Sequence, residues 1–267
     1  MPRRNEPEER LLPMPATLGK EMEHAQTPNL SLKYYKYASV YKNGFQDTVK
    51  NKKSFLDGFI GYSSKPEYRE AFGLRRKYLE KIGDGFSLTT ATRLLFGIGY
   101  QHPLEIGFMF DWTTGLPIIP GSSLKGIARD YARNNKDHWD EELVKRIFGP
   151  DNNDNKRSVG AIIFLSAFPC PEKVQALFEI DVMTPHYTRY YGNPTENPPA
   201  DWYDPVPIPF LTVPAGVRYC FRIADRTNLG RKETGSQLLK DAKNILRSAL
   251  LEHGVGAKTA VDYGYFR

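Results

Sequence analysis

Lys125, Arg129 and Arg133 fall four residues apart, directly after a pair of hydroxyls, in the run Ile118-Ile119-Pro120-Gly121-Ser122-Ser123-Leu124-Lys125-Gly126 and its continuation. That spacing sets three cations on one face of a helix, while a helix start offers free N–H groups and the positive end of its dipole. The chemistry is that of gripping a phosphate. An apolar run ends at Pro120-Gly121, Ser122 and Ser123 are candidate caps, and Leu124, Ile127, Ala128 and Tyr131 recur at helical spacing, which predicts a helix over 122–134. The same pattern also describes a capped amphipathic helix with a solvated basic face. ATP binding is disfavoured, because Lys125 lies four residues past Gly121 rather than directly after a P-loop glycine.

A second stretch of the same kind is Gly254-Val255-Gly256-Ala257-Lys258-Thr259. Its glycines, Gly254 and Gly256, let backbone approach a phosphate and Lys258 adds charge; a helix C-cap is the other reading. Acid/base chemistry on RNA would need groups such as His102 or His186. No paired histidines or compact acid/base constellation accompany them, and His102, next to Pro103 in a turn, reads as structural. His186, Tyr187 and Arg189 stand together in Asp181-Val182-Met183-Thr184-Pro185-His186-Tyr187-Thr188-Arg189-Tyr190-Tyr191-Gly192, a mixture suited to RNA contact. The acidic loop Gly149-Pro150-Asp151-Asn152-Asn153-Asp154 lacks the glutamate and spacing of an EF-hand, so neither a metal nor a cofactor is expected.

The elements that must position these residues are carried by 267 residues, 40% of them hydrophobic and 25% charged, enough for a substantial core. Lys and Arg outnumber Asp and Glu by 37 to 31, which favours anionic partners. The excess is concentrated between Lys33 and Arg93, with thirteen basic residues against six acidic. Tyr34, Tyr35, Tyr37, Tyr41, Phe45, Phe55, Phe59 and Tyr62 are interleaved with it, either as base-stacking platforms or as anchors of a peripheral layer on the core. Cys170 and Cys220 are too few for a disulfide framework or a cysteine zinc site, so a reducing compartment is expected. With no apolar stretch long enough to span a bilayer and no apolar core of a signal peptide, the expected compartment is the cytoplasm, with no membrane partner.

Proline-dotted residues 1–30 read as a flexible arm, and 31–85 as a basic, aromatic-rich helical extension with a helix from about 65 to 82 capped by Ser64. From 86 to 267 the order is strand (86–99), helix (122–134), strand (160–168), strand (216–224), helix (236–252), strand (260–266), with a short helix at 139–148. That is an α+β, βαββαβ pattern: a four-stranded antiparallel sheet in the ferredoxin-like, RRM-like arrangement, with two helices on one face and the other face open to RNA. Residues 169–215 form a long proline-rich excursion from it.

Gly99-x-x-His102-Pro103-Leu104-Glu105, the run from Thr114 to Gly126, the Phe148-Gly149 turn before Gly160-Ala161-Ile162-Ile163-Phe164, the Asp181–Tyr187 segment and the Gly254–Thr259 loop together resemble the CRISPR RAMP proteins. Within them, the chain is similar to the family of sixth subunits of the type III-B Cmr effector, over about residues 90–267. The resemblance implies an RRM-like RAMP domain in which 169–215 is a thumb-like insertion. It implies a non-cutting role in antiviral defence: capping the guide-RNA filament near the crRNA 3′ end, with crRNA and target RNA and the other Cmr subunits as partners. A metal-independent RAMP endoribonuclease and a protein-only scaffold are the alternatives. The residues expected to grip sugar-phosphate are Gly121, Ser122, Ser123, Lys125, Arg129, Arg133, His186, Tyr187, Arg189, Gly254, Gly256 and Lys258.

Overall fold

A computed structural model describes residues 29–42, 47–48, 52–62, 66–150, 158–170, 176–200, 202–226 and 236–267. In chain order its elements are α1 (Leu30–Tyr35), β1 (Tyr41–Lys42), β2 (Asp47–Thr48), α2 (Lys53–Asp57), α3 (Pro66–Leu79) and β3 (Asp84–Thr89). There follow α4 (Gly121–Asn134), α5 (Glu141–Phe148), β4 (Ile162–Phe164), β5 (Phe168–Pro169), β6 (Glu179–Met183), α6 (Thr188–Gly192), β7 (Ile208–Thr212), β8 (Arg218–Asp225) and α7 (Gln237–Glu252). The arm over residues 1–28, Phe45 and the Ser64 cap lie outside the described residues.

β8 is the axis. It pairs antiparallel with β3 from Asp84↔Ile223 to Thr89↔Arg218, and on its other side with β4 (Phe164↔Ile223) and β5 (Phe168↔Cys220). Tyr219, Phe221 and Ile223 are fully buried, at the alternate positions a strand presents to one face. α4 and α7 pack on each other and against β4 and β8 on that face. α7 starts where the Ser236 hydroxyl accepts from the Leu239 N–H at 3.2 Å, and it buries the stripe Leu239, Ala242, Ile245, Leu246, Ala249 and Leu250. Among the described residues no helix is long and apolar enough to cross a membrane.

Three expectations are corrected. The strand over 260–266 is a single Thr90↔Phe266 bridge preceded by a 3₁₀ turn, Thr259–Val261. Positive φ at Lys258, Asp262 and Gly264 breaks any extended run there. The second face of the sheet is not open: α3 leans over it, with the Arg75 guanidinium 4.5 Å above the Phe168 ring and Leu79 buried. Cys170 and Cys220, expected as thiols, are joined as a disulfide, because β5 and β8 bring their Cα atoms within 6.2 Å.

The N-terminal layer attaches through aromatic rings. Tyr34, Phe55, Phe59 and Tyr62 are buried, as anchors rather than stacking platforms. Tyr34 packs on Phe59 and Phe110, and its hydroxyl donates to Ile106 O at 2.8 Å. His102 stacks on Tyr34 with centroids 4.0 Å apart. The Leu104 N–H donates to its Nδ1 at 3.1 Å, so Nε2 carries the proton and donates to Tyr34 O at 2.8 Å. Burial holds the imidazole pKa down at about 4, against an ordinary 6.5.

The unfolded chain therefore takes up this proton first as pH falls. The stabilisation from neutral His102 is complete above pH 6.5 and is lost between 6.5 and about 4, a loss of about 3 kcal/mol at most. Urea unfolding at pH 7 and pH 4.5 will show a smaller pH-induced drop for His102→Gln than for the wild type. Equal drops would refute the assignment.

Candidate nucleic-acid interface

The start of α4 is pressed onto the edge of the sheet. Ile119 exchanges backbone hydrogen bonds with Ala167, and the Gly121 N–H donates to Ser166 Oγ at 3.3 Å. A Cβ on Gly121 would stand 2.1 Å from Phe164 O, so glycine is required by the helix–strand contact itself. Pro120 caps without a side-chain hydrogen bond; Ser122 is exposed and Ser123 half-buried in the first turn.

The three predicted cations separate. Arg133 lies exposed in the last turn. The Arg129 guanidinium donates to Gly149 O and Pro150 O at 3.0 and 2.9 Å and clamps the end of α5. Lys125 is half-buried, and burial, with Arg129 and then Arg226 nearby, pushes its ammonium below the ordinary lysine value. Arg226 was not picked out from the sequence. It follows β8 in the chain, and the pairing Ile162↔Asp225 delivers it here, where its Nε donates to Gly160 O at 3.2 Å. Lys125, Arg129 and Arg226 thus form a like-charged cluster that an arriving anion relieves.

The glycine loop lies elsewhere. The His253 ring packs 5.2 Å from Tyr131, near the C-terminal end of α4, about 15 Å of helix from Gly121. Val255 N–H donates to Gly264 O and Ala257 N–H to Leu95 O, so two of its amides are spent on protein carbonyls. Gly254 and Gly256 have φ of +68° and +106°, and a Cβ on Gly256 would come within 2.6 Å of Leu95 O. These glycines admit neighbouring backbone, and Lys258 holds a left-handed turn at their end.

The excursion is a hairpin of β6 and β7, in register from Glu179↔Thr212 to Met183↔Ile208, with α6 beyond it. Its base is tied down: Arg93 pairs with Glu179 at 2.7 Å and Asp181 at 3.3 Å, and the Tyr263 hydroxyl donates to Asp181. Burial and this carboxylate push the Tyr263 phenol up to about 12. Toward the tip, His186 is exposed, Tyr187 half-buried, and Arg189 sits 5.6 Å over the Tyr203 ring. Tyr191, one of the tyrosines of the Asp181–Gly192 segment, is 73% exposed; Trp202, 81% exposed, was not singled out from the sequence, whose only signal for it was its place in a long loop. Exposed rings beside a cation suit base stacking.

Residues 87–267 match the RAMP superfamily, well over half of the chain. The chain belongs to the RAMP superfamily. Among the relatives of this RAMP protein is the CRISPR system Cmr subunit Cmr6 of Pyrococcus furiosus, 28% identical over 257 residues that cover 73% of each chain. Another is Cmr6 of Saccharolobus solfataricus, 28% identical over 252 residues, covering 89% of this chain and 79% of the relative. A chain in the cryo-EM structure of the type III-B Cmr-beta bound to cognate target RNA superimposes with a TM-score of 0.55 at 27% identity. The match covers 76% of this RAMP chain and 65% of that one, just under two thirds of its length.

Two glycines of α4 separate packing from ligand access. Gly126 is exposed with nothing within 4 Å of an added Cβ, so Gly126→Ala is expected to raise stability by about 0.5–1 kcal/mol. Gly121→Ala, driven into Phe164 O, is expected to lower it by about 1–3 kcal/mol. Thermal and urea unfolding of both variants check this; a Gly121→Ala protein of unchanged stability would return that glycine to the role of a ligand contact.

Proposed function

We propose that this chain is a non-catalytic RNA-binding subunit of a type III-B CRISPR (Cmr) ribonucleoprotein, capping the guide-RNA filament near the crRNA 3′ end beside other Cmr subunits. The observation that carries the reading is the Lys125–Arg129–Arg226 cluster at the start of α4, in which burial and like charge already weaken the lysine's hold on its proton. A backbone phosphate there restores it. The similarity to two Cmr6 proteins, and to a chain of a Cmr assembly that holds target RNA, supports the same reading.

The fold proposed with it is ferredoxin-like. It is supported by the order of neighbours Phe266, β3, β8, β4/β5, which is compatible with a βαββαβ sheet with its last strand reduced to one bridge. In this scheme 1–30 is an arm, 31–85 an extension on the core, and the β6–β7 hairpin lies within a thumb-like insertion at about 169–215. Ser122, Ser123, Arg133, His186, Tyr187, Arg189 and Lys258 remain proposed RNA contacts. The absence of cutting is supported by His102, whose two ring nitrogens are engaged by backbone in a buried cluster, while His186 stands exposed on the insertion. A general acid and base must share one scissile bond.

For single-stranded RNA, each neutralised phosphate contributes about 0.7 to the logarithmic salt slope. Lys125→Ala/Arg226→Ala is therefore expected to weaken RNA binding of the assembled complex and flatten its slope by about 0.7, the share of one phosphate. Unchanged affinity and slope would discard these contacts. RNA cleavage by the wild type that His186→Ala abolishes would overturn the non-catalytic reading.

A further inference from the structure

A second basic recess lies on the opposite face of the sheet, where α3 leans over the strands. It is a pocket of about 170 Å³ between Arg75 and Arg76 of α3 and Ser87, Phe168 and Arg222 of the sheet. Arg76 is matched by Glu80 at 2.7 Å. Arg75 stacks on Phe168 with its Nε buried and without a hydrogen-bond partner. Arg222 reaches Ile82 O and Gly83 O only at 3.5 Å, the outer limit of a hydrogen bond. Asp84, within electrostatic reach of Arg222, is held by Lys243 at 2.6 Å. The Ser87 hydroxyl has the Cys220 sulfur, a weak acceptor, at 3.7 Å. A Cβ on Gly85 would stand 2.7 Å from Phe221 O and 3.0 Å from Arg222 Cγ, so glycine there admits the backbone and side chain of β8.

We infer that this recess is a phosphate site, occupied by a backbone phosphate of single-stranded RNA. Two guanidinium forks enter it from different elements, Arg75 from α3 and Arg222 from β8. One planar carboxylate satisfies a single fork, whereas a tetrahedral phosphate offers separate oxygens to both. Ser87 adds a hydroxyl donor, and the ring of Phe168 gives a ribose an apolar wall. The recess admits one phosphate with its sugar. The anion site stands on this geometry alone; RNA as the source of the phosphate rests on the function proposed above.

The test uses the full chain with an oligouridylate of about 12 nucleotides and, separately, pyrophosphate. Arg75→Gln and Arg222→Gln are each expected to flatten the oligouridylate salt slope by about 0.7 and to abolish thermal stabilisation by pyrophosphate. Ser87→Asp sets a carboxylate between the two forks; it keeps them paired, so it folds even where an arginine variant does not, and is expected to block both ligands. RNA binding that Lys125→Ala/Arg226→Ala weakens but none of these three alters would overturn the recess and leave the proposed function standing. Pyrophosphate stabilisation that depends on Arg75 and Arg222, without any effect of them on RNA affinity, would support the anion site and overturn RNA as its source. Binding of a glutamate-rich peptide with the same dependence, in place of either phosphate ligand, would overturn the phosphate assignment. A wild type that responds to neither oligouridylate nor pyrophosphate would overturn the inference outright.

Discussion

Three stretches remote in sequence meet on the ring of Tyr34: α1 and α2 of the N-terminal layer, the long connection from Gly97 to Ile119, and, through Phe59, Phe108 and Phe110, the Phe178 that leads into β6. The connection has no helix or strand of its own among the named elements, so its course is set by what it packs against. Tyr34 and Tyr35 fix it with hydroxyls on Ile106 O and Phe108 O, and His102 returns a hydrogen bond to Tyr34 O. Leaving one such group buried and unpaired costs about 1–3 kcal/mol, so the layer is a single cooperative unit rather than a set of separable contacts. The same connection ends at Ile119, which pairs with Ala167 and delivers the start of α4 to the sheet edge. The placement of Lys125 therefore depends on rings far from it.

Glycine in a motif is ambiguous for a physical reason. An absent Cβ admits a ligand or admits the protein, and the sequence says only that something comes close. At Gly121 the neighbour is Phe164 O; at Gly256 it is Leu95 O; at Gly264 it is Val255 O. At both glycine stretches the room left by the missing Cβ is taken by the protein's own backbone, and the charge beside the first of them is partly supplied by Arg226, from another part of the chain.

What was legible followed from periodicity. The apolar stripe of 236–252 and the spacing of Leu124, Ala128 and Tyr131 anticipate α7 and α4 to within a residue, because helix burial is a local repeat. The strand expected over Ala260–Phe266 is not formed, since positive φ at Asp262 and Gly264 leaves no trace in the residue types. Which face α3 covers was not legible either. It is decided by Arg75 meeting Phe168 across nearly a hundred residues. The convergence of Arg226 on Lys125 is likewise a matter of strand register.

Register also decides how the two basic clusters relate. β4 pairs Phe164 with Ile223, and β5 pairs Phe168 with Cys220, so one extra residue sits between them on the edge strand. Without that bulge, residues four apart would point to the same face. With it, Phe164 faces the helices and stacks on Phe148, while Phe168 turns to the other face beneath Arg75. The Ile119–Ala167 bridge and the Ser166 hydroxyl on Gly121 brace the bulge from the α4 side. The same residue that tips Phe168 under α3 therefore seats the start of α4. The Lys125–Arg129–Arg226 cluster and the Arg75–Arg222 recess flank one edge strand on opposite faces, and a single-stranded polyanion that engages both has to cross that edge at the bulge.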